Sequence, residues 1–213
     1  LDAITTGDHN AAFGMGALGA NTTGSRNTAI GRATLGSPDT ENDNVAVGYN
    51  SLAGSIAGGE FNVAVGNNAL DALTSADNNV AVGYNAGTSI TTGAGNVAVG
   101  FEALKDNQTG TNNTAVGENA LANTTSDQNT AVGQNALLTN TSGHSNQAIG
   151  HDSLRLSTTG NHNVAIGVDA LRSNTEGGRN IAIGHEVYDG ADTENDNLAI
   201  GHSALGGSVA GGE

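Results

Sequence analysis

A short alternation of apolar and polar positions keeps returning along the chain. Its seventh copy reads Asn113-Thr114-Ala115-Val116-Gly117-Glu118-Asn119-Ala120-Leu121. Side chains alternate across an extended segment, so Thr114 and Val116 face one way and Ala115 the other. Gly117 then interrupts the pattern, and a second apolar pair follows two variable positions later. The pentad Asn-x-Ala-(Val/Ile/Phe)-Gly occurs twelve times, beginning at Asn10, Asn27, Asn44, Asn62, Asn79, Asn96, Asn113, Asn129, Asn146, Asn163, Asn180 and Asn197. Copies lie 17 residues apart, except for one spacing of 18 and one of 16. Self-similarity at a fixed short period marks a solenoid, in which each unit buries its apolar face only against its neighbours.

Position by position, the repeat predicts one rung of such a coil. The fourth residue of the pentad runs from Phe13 and Ile30 through Val47, Val65, Val82, Val99, Val116 and Val132 to Ile149, Ile166, Ile183 and Ile200, the β-branched residues that strands favour. The third is always Ala. A strand apolar on both faces is expected to be buried on both, with Val and Ile lining the core and the Ala side closely approached by another backbone. The invariant Gly predicts a corner. The following apolar pair ends in Leu18, Leu35, Leu52, Leu70, Leu104, Leu121, Leu137, Leu154, Leu171 and Leu205, with Gly87 and Tyr188 as exceptions, and reads as a second short strand. Stretches such as Asn21-Thr22-Thr23-Gly24 serve as the outer turn. The recurring Asn is expected to hydrogen-bond from rung to rung, satisfying amides that would otherwise be buried unpaired.

Two short strands and two turns in each repeat make a flattened β-roll. The expectation is an all-β parallel β-solenoid: one elongated domain over 1–213, about twelve rungs and roughly 55–60 Å long at ~4.8 Å per rung. Its core is about one side chain thick. The Ala face therefore calls for an outside partner, and several parallel copies are expected to bundle around an axis.

A longer period overlies the short one. Asp39-Thr40-Glu41-Asn42-Asp43-Asn44 returns as Asp192-Thr193-Glu194-Asn195-Asp196-Asn197, and the match extends over residues 5–60 against 158–213. These stretches are equivalent parts of a nine-rung super-repeat, which predicts that the chain is a window in a longer tandem array.

Composition narrows the picture. With 33 Gly, one Pro, no Cys, no Trp, three Tyr and three Phe, a thick globular core cannot be filled. Disorder suits a chain rich in Gly and Asn but requires no register, and here Asn, Ala and Gly hold theirs in every copy. The net charge of −15 opposes binding to nucleic acid or anionic membranes and keeps a repetitive β-structure soluble. No apolar run is long enough to span a membrane and no signal peptide is present, so no membrane insertion is expected of this segment. Export signals could lie outside it.

The rung phrase resembles the head repeats of trimeric autotransporter adhesins. It resembles still more the Asn-Thr-Ala-Val-Gly-x-x-Ala-Leu arrays of phage and bacterial tail-fibre-like proteins, as in Asn129-Thr130-Ala131-Val132-Gly133-Gln134-Asn135-Ala136-Leu137. The likeness covers nearly the whole chain, with a longer coil than that of the adhesin heads. It implies homotrimers, or a larger ring, exposed outside the cell on a bacterial surface or phage virion and attached to a glycan or protein receptor. The function expected is a structural and adhesive segment of an extracellular fibre. The alternatives are a fibre enzyme degrading glycans, or a monomeric solenoid binding ice or calcium.

Each candidate site in the chain also has a plainer reading. His151, His185 and His202 share the position after the rung Gly, so His185 and His202 should stack and could ligate a metal. Arg32, Asn67, Glu118 and Gln134 hold the same position, which favours an exposed polar ladder. Tyr49, Tyr84 and Phe101 also stand there and could stack on sugars, although stacking on each other is simpler. The acidic turns at 39–43 and 192–196 offer clustered oxygens for Ca²⁺ but match no calcium-loop spacing and read as solvated turns. The Thr-rich turns are interrupted at Ser55-Ile56-Ala57 and Ser75-Ala76-Asp77, against the unbroken Thr array that ice binding needs. The sequons at Asn21, Asn123 and Asn140 are expected by composition alone. Scattered carboxylates form no catalytic pair, so no catalytic, cofactor or metal residue is assigned, and the protein is read as a non-enzyme.

Overall fold

The computed structural model describes residues 5–37, 40–190 and 193–206. It contains twelve three-residue strands: β1 (Ala11–Phe13), β2 (Thr28–Ile30), β3 (Val45–Val47), β4 (Val63–Val65), β5 (Val80–Val82), β6 (Val97–Val99), β7 (Thr114–Val116), β8 (Thr130–Val132), β9 (Gln147–Ile149), β10 (Val164–Ile166), β11 (Ile181–Ile183) and β12 (Leu198–Ile200). They form one parallel sheet in sequence order. Each residue sits over its counterpart one repeat away, as in Val97↔Thr114, Ala98↔Ala115 and Val99↔Val116. The predicted β-solenoid is therefore the fold, and the spacings of 16 and 18 are absorbed without loss of register.

Rung-to-rung hydrogen bonds run around the whole coil. On the sheet side Val97 N–H donates to the Asn113 carbonyl at 2.8 Å, and Gly100 N–H donates to the Val82 carbonyl at 2.8 Å. On the opposite side Asn119 N–H donates to Phe101 at 2.9 Å and Leu121 N–H to Ala136 at 3.0 Å. The outer turn is laced likewise, with Thr141 N–H donating to Thr158 at 3.0 Å and its hydroxyl to the same carbonyl at 3.0 Å.

Two expectations need correction. The Ala-Leu segment is not a second strand. Its backbone alternates through left-handed residues, φ 56° at Asn119 and 50° at Leu121, and this pattern recurs in every coil. Left-handed conformations cost an L-residue about 1–2 kcal/mol, so tertiary packing must hold them. Asn tolerates them best, which accounts for Asn50, Asn68, Asn85, Asn119 and Asn135 at the first position. Leu has no such tolerance and is held there by burial: Leu52, Leu70, Leu104, Leu121, Leu137 and Leu154 have no exposed surface.

The second correction concerns the faces of the strand. Alanine, not Val and Ile, points into the coil. Ala29, Ala46, Ala64, Ala81, Ala115, Ala131 and Ala148 are completely buried, and the core is an Ala ladder closed by the Leu ladder across a narrow interior. The walls are too close for two large side chains, so a small residue faces a large one. The Val/Ile ladder faces out.

The Asn ladder completes the core and behaves as predicted. The Asn113 side-chain oxygen accepts the Asn129 N–H at 2.9 Å, while its amide donates to the Ser126 carbonyl at 2.7 Å. The same two bonds tie Asn96 to Asn113 N–H and the Gly110 carbonyl, and Asn146 to Asn163 N–H and the Gly160 carbonyl. Buried amides are thereby satisfied around the corner leading into each strand.

Candidate interaction surface

Because successive strand residues point to opposite faces, burying Ala commits its two neighbours to the outside. The outer face of the sheet thus carries two parallel ladders, one from the first strand position and one from the third. At mid-array these are Val80, Val97 and Thr114 beside Val82, Val99 and Val116. Lateral neighbours half-bury them, yet Val82, Val116, Val132 and Ile166 keep 36–37% of their surface exposed. The face continues along all twelve strands, about 53 Å at ~4.8 Å per step. With two side-chain columns across, its area is roughly 500 Å², apolar except at Thr28, Thr114, Thr130 and Gln147, which matches the largest apolar patch of an ordinary monomer.

The column after the rung Gly borders this face. Tyr84 and Phe101 stack with ring centroids 5.5 Å apart and planes 13° off parallel. The Arg32 guanidinium lies 5.7 Å from the centre of the Tyr49 ring. His185 and His202 stack at 5.2 Å, 11° from parallel, as their shared register requires. Next to this column runs a second, outward chain of polar side chains, in which Asn135 donates to Asp152 at 3.0 Å and Asn68 to Asn85 at 3.2 Å.

The acidic turns lie partly outside the described residues at Asp39 and Asp192. Their other carboxylates are engaged within the protein. Asp43 receives a two-pronged bond from Arg26 at 2.6 and 2.7 Å, and Asp196 an equivalent one from Arg179 at 2.6 Å. Each guanidinium holds its carboxyl below the usual carboxylate range, chiefly by hydrogen bonding, and is itself raised in return. Glu41 is buried rather than solvated and accepts the Gly58 N–H at 2.9 Å. Of the sequons, Asn123 is exposed, whereas Asn21 and Asn140 are buried at an inward position of the outer turn.

That inward turn position escaped the sequence reading. It holds Ile56, Leu73 and Ile90 in some coils and Asn107, Thr124, Asn140 and Ser157 in others, all buried. Mixed chemistry hides its periodicity. The amide occupants bond locally instead, as Asn107 does by accepting the Gly110 N–H at 2.8 Å and donating to the Gly110 carbonyl at 3.0 Å and as Asn140 does by donating to the Gly143 carbonyl at 2.8 Å.

No pocket opens among the described residues, and no helix there is long and apolar enough to cross a membrane. Comparison with known protein families, curated proteins and solved structures finds no match.

Proposed function

We propose that the chain is a structural and adhesive segment of an extracellular fibre or surface filament, built from parallel copies joined through the outer face of the sheet. The observation that carries this reading is the unbroken outward Val/Ile ladder. An apolar strip about 53 Å long, half-buried to exposed, runs the solenoid's full described length on its outside. A second copy of the same chain is the partner that fits, because an identical ladder repeats at the same ~4.8 Å step and can interlock along the whole strip. At roughly 500 Å² per chain, the strip supplies more than half of the ~800 Å² per partner of a stable interface. Three chains around an axis give each chain two neighbours and remove the strip from water.

The net charge of −15 then belongs to the outside of the bundle, where it keeps neighbouring fibres apart. The turns, repeated along each chain and between chains, would present a glycan or protein receptor with many weak contacts at once. Sedimentation velocity of the purified chain is expected to give a discrete homo-oligomer, three chains being the stoichiometry proposed. Val116→Asp should yield monomers with an unchanged circular dichroism spectrum. A wild-type chain that sediments as a monomer at tens of micromolar would remove the basis of the proposal.

A further inference from the structure

The column after the rung Gly holds one arrangement that neither packing nor assembly uses. His185 and Glu186 in one coil and His202 in the next each bring a ligand atom within 4.8 Å of the others. We propose that these three side chains bind a divalent transition-metal ion, Zn²⁺ or Cu²⁺, on the outside of the solenoid. Two imidazoles and a carboxylate form the donor set such ions take, with water completing the shell.

The fold supplies the alignment. Ser203 N–H donates to the His185 carbonyl at 2.9 Å, fixing the two coils in register, and the imidazoles stack nearly parallel. Ser203 Oγ lies 3.0 Å from His202 Nδ1, which leaves Nε2 of that ring for the metal. His185 Nδ1 lies 3.7 Å from a Glu186 carboxylate oxygen. Ligand atoms around one tetrahedral Zn²⁺ sit about 3.3 Å apart at Zn–N distances near 2.0–2.1 Å. Closing the gap needs only side-chain rotation, and about half of the His185 and Glu186 side chains is solvent-exposed.

A second cluster shows what an occupied alternative looks like. His151, Asp152 and Asp169 lie equally close together. There, however, Asp152 accepts bonds from Asn135 and Arg155, and Asp169 pairs with Arg172 at 3.6 Å. Those carboxylates are already committed to protein cations and amides. Glu186 has no Lys or Arg ion-pair partner among the described residues. The super-repeat adds an internal contrast, because nine coils earlier the positions of His185, Glu186 and His202 are held by Arg32, Ala33 and Tyr49. Contact between adjacent coils is retained there as a cation over a ring, with no ligand set.

Calorimetric titration of the chain with Zn²⁺, and electron paramagnetic resonance with Cu²⁺, test the site. The expected result is one saturable ion per chain, with nitrogen coupling in the Cu²⁺ spectrum and a higher melting temperature in Zn²⁺. Losing even an outer-shell partner costs about 10–100-fold in affinity. His202→Ala should therefore weaken binding by more than about tenfold and abolish the thermal shift, with Glu186→Gln weakening it less. His144→Ala controls for the other close pair, His144 with His162 at 5.0 Å, and should change nothing. Binding that survives His202→Ala, binding lost in His144→Ala, or the absence of saturable uptake would each overturn the proposal.

Discussion

Replacing Asn113 by Ala probes the buried amide ladder at the middle of the array. The wild-type side chain accepts the Asn129 N–H at 2.9 Å and donates to the Ser126 carbonyl at 2.7 Å and to the Asn96 side-chain oxygen at 3.2 Å. Ala leaves the first two of these backbone groups without a partner inside a coil where residue 113 has no exposed surface. An unsatisfied buried polar group costs about 1–3 kcal/mol, so two give about 2–6 kcal/mol. Backbone adjustment and water entry should bring the observed loss to about 3 kcal/mol. Asn113→Asp makes a sharper test. One carboxylate oxygen still accepts the Asn129 N–H, but the other meets the Ser126 carbonyl, and a buried charge is added. Burial and that carbonyl raise the introduced carboxyl's pKa above its unfolded value of about 3.9. Stability is then retained below the unfolded pKa, where the protonated acid can donate to Ser126, and is lost as pH rises through the folded value. Denaturant titrations followed by circular dichroism, at one chain concentration and at pH 4 and pH 7, measure both variants. An Asn113→Ala chain within about 0.5 kcal/mol of wild type would refute the idea that this ladder secures the coil.

Gly117→Ala should destabilise by about 2–5 kcal/mol, because φ is 136° there and a Cβ would lie 2.6 Å from the Gly133 carbonyl oxygen; thermal melting measures it. Tyr188→Phe should be neutral or stabilising by up to about 1 kcal/mol, since the buried hydroxyl has no hydrogen-bond partner among the described residues and burial raises its pKa. Asp43 and Asp196 have lowered pKa values, so their pairing with Arg26 and Arg179 contributes stability above the ordinary carboxylate value, lost as pH falls through the folded one. The double variant Arg26→Gln/Arg179→Gln should therefore show a smaller stability difference between pH 3 and pH 7, a modest effect because both pairs lie at the solvent-screened surface.

Much of this architecture is legible in the chain because a period carries more information than any propensity. A recurring Asn-x-Ala-x-Gly dictates a parallel, in-register sheet, and with it the Asn ladder and the stacking of Tyr84 on Phe101 and His185 on His202. The inside and outside of the strand were not legible. Alternation places Ala115 opposite Val116 without saying which faces water, and hydrophobicity favours the wrong answer. What decides is the width of the coil: Leu121 enters from the other wall and leaves room only for a methyl group. The left-handed backbone at Leu121 was equally hidden, since Leu rarely adopts it and does so here only because both of its neighbouring coils impose the same path. The outward Val/Ile ladder was therefore missed as an exposed apolar face, and the Ala face, from which an outside partner was expected, is closed within the coil itself.

The absence of cysteine allows the central claim to be tested by single-site labelling. A spin label on Val116→Cys lies near the middle of the twelve strands, so it falls close to its counterpart in a neighbouring chain whichever way the copies run. Dipolar spectroscopy is expected to show strong coupling between chains through this site, and dilution with unlabelled chain should remove it. A label at position 116 that tumbles freely and shows no coupling between chains would mean that the Val/Ile face meets water rather than another copy.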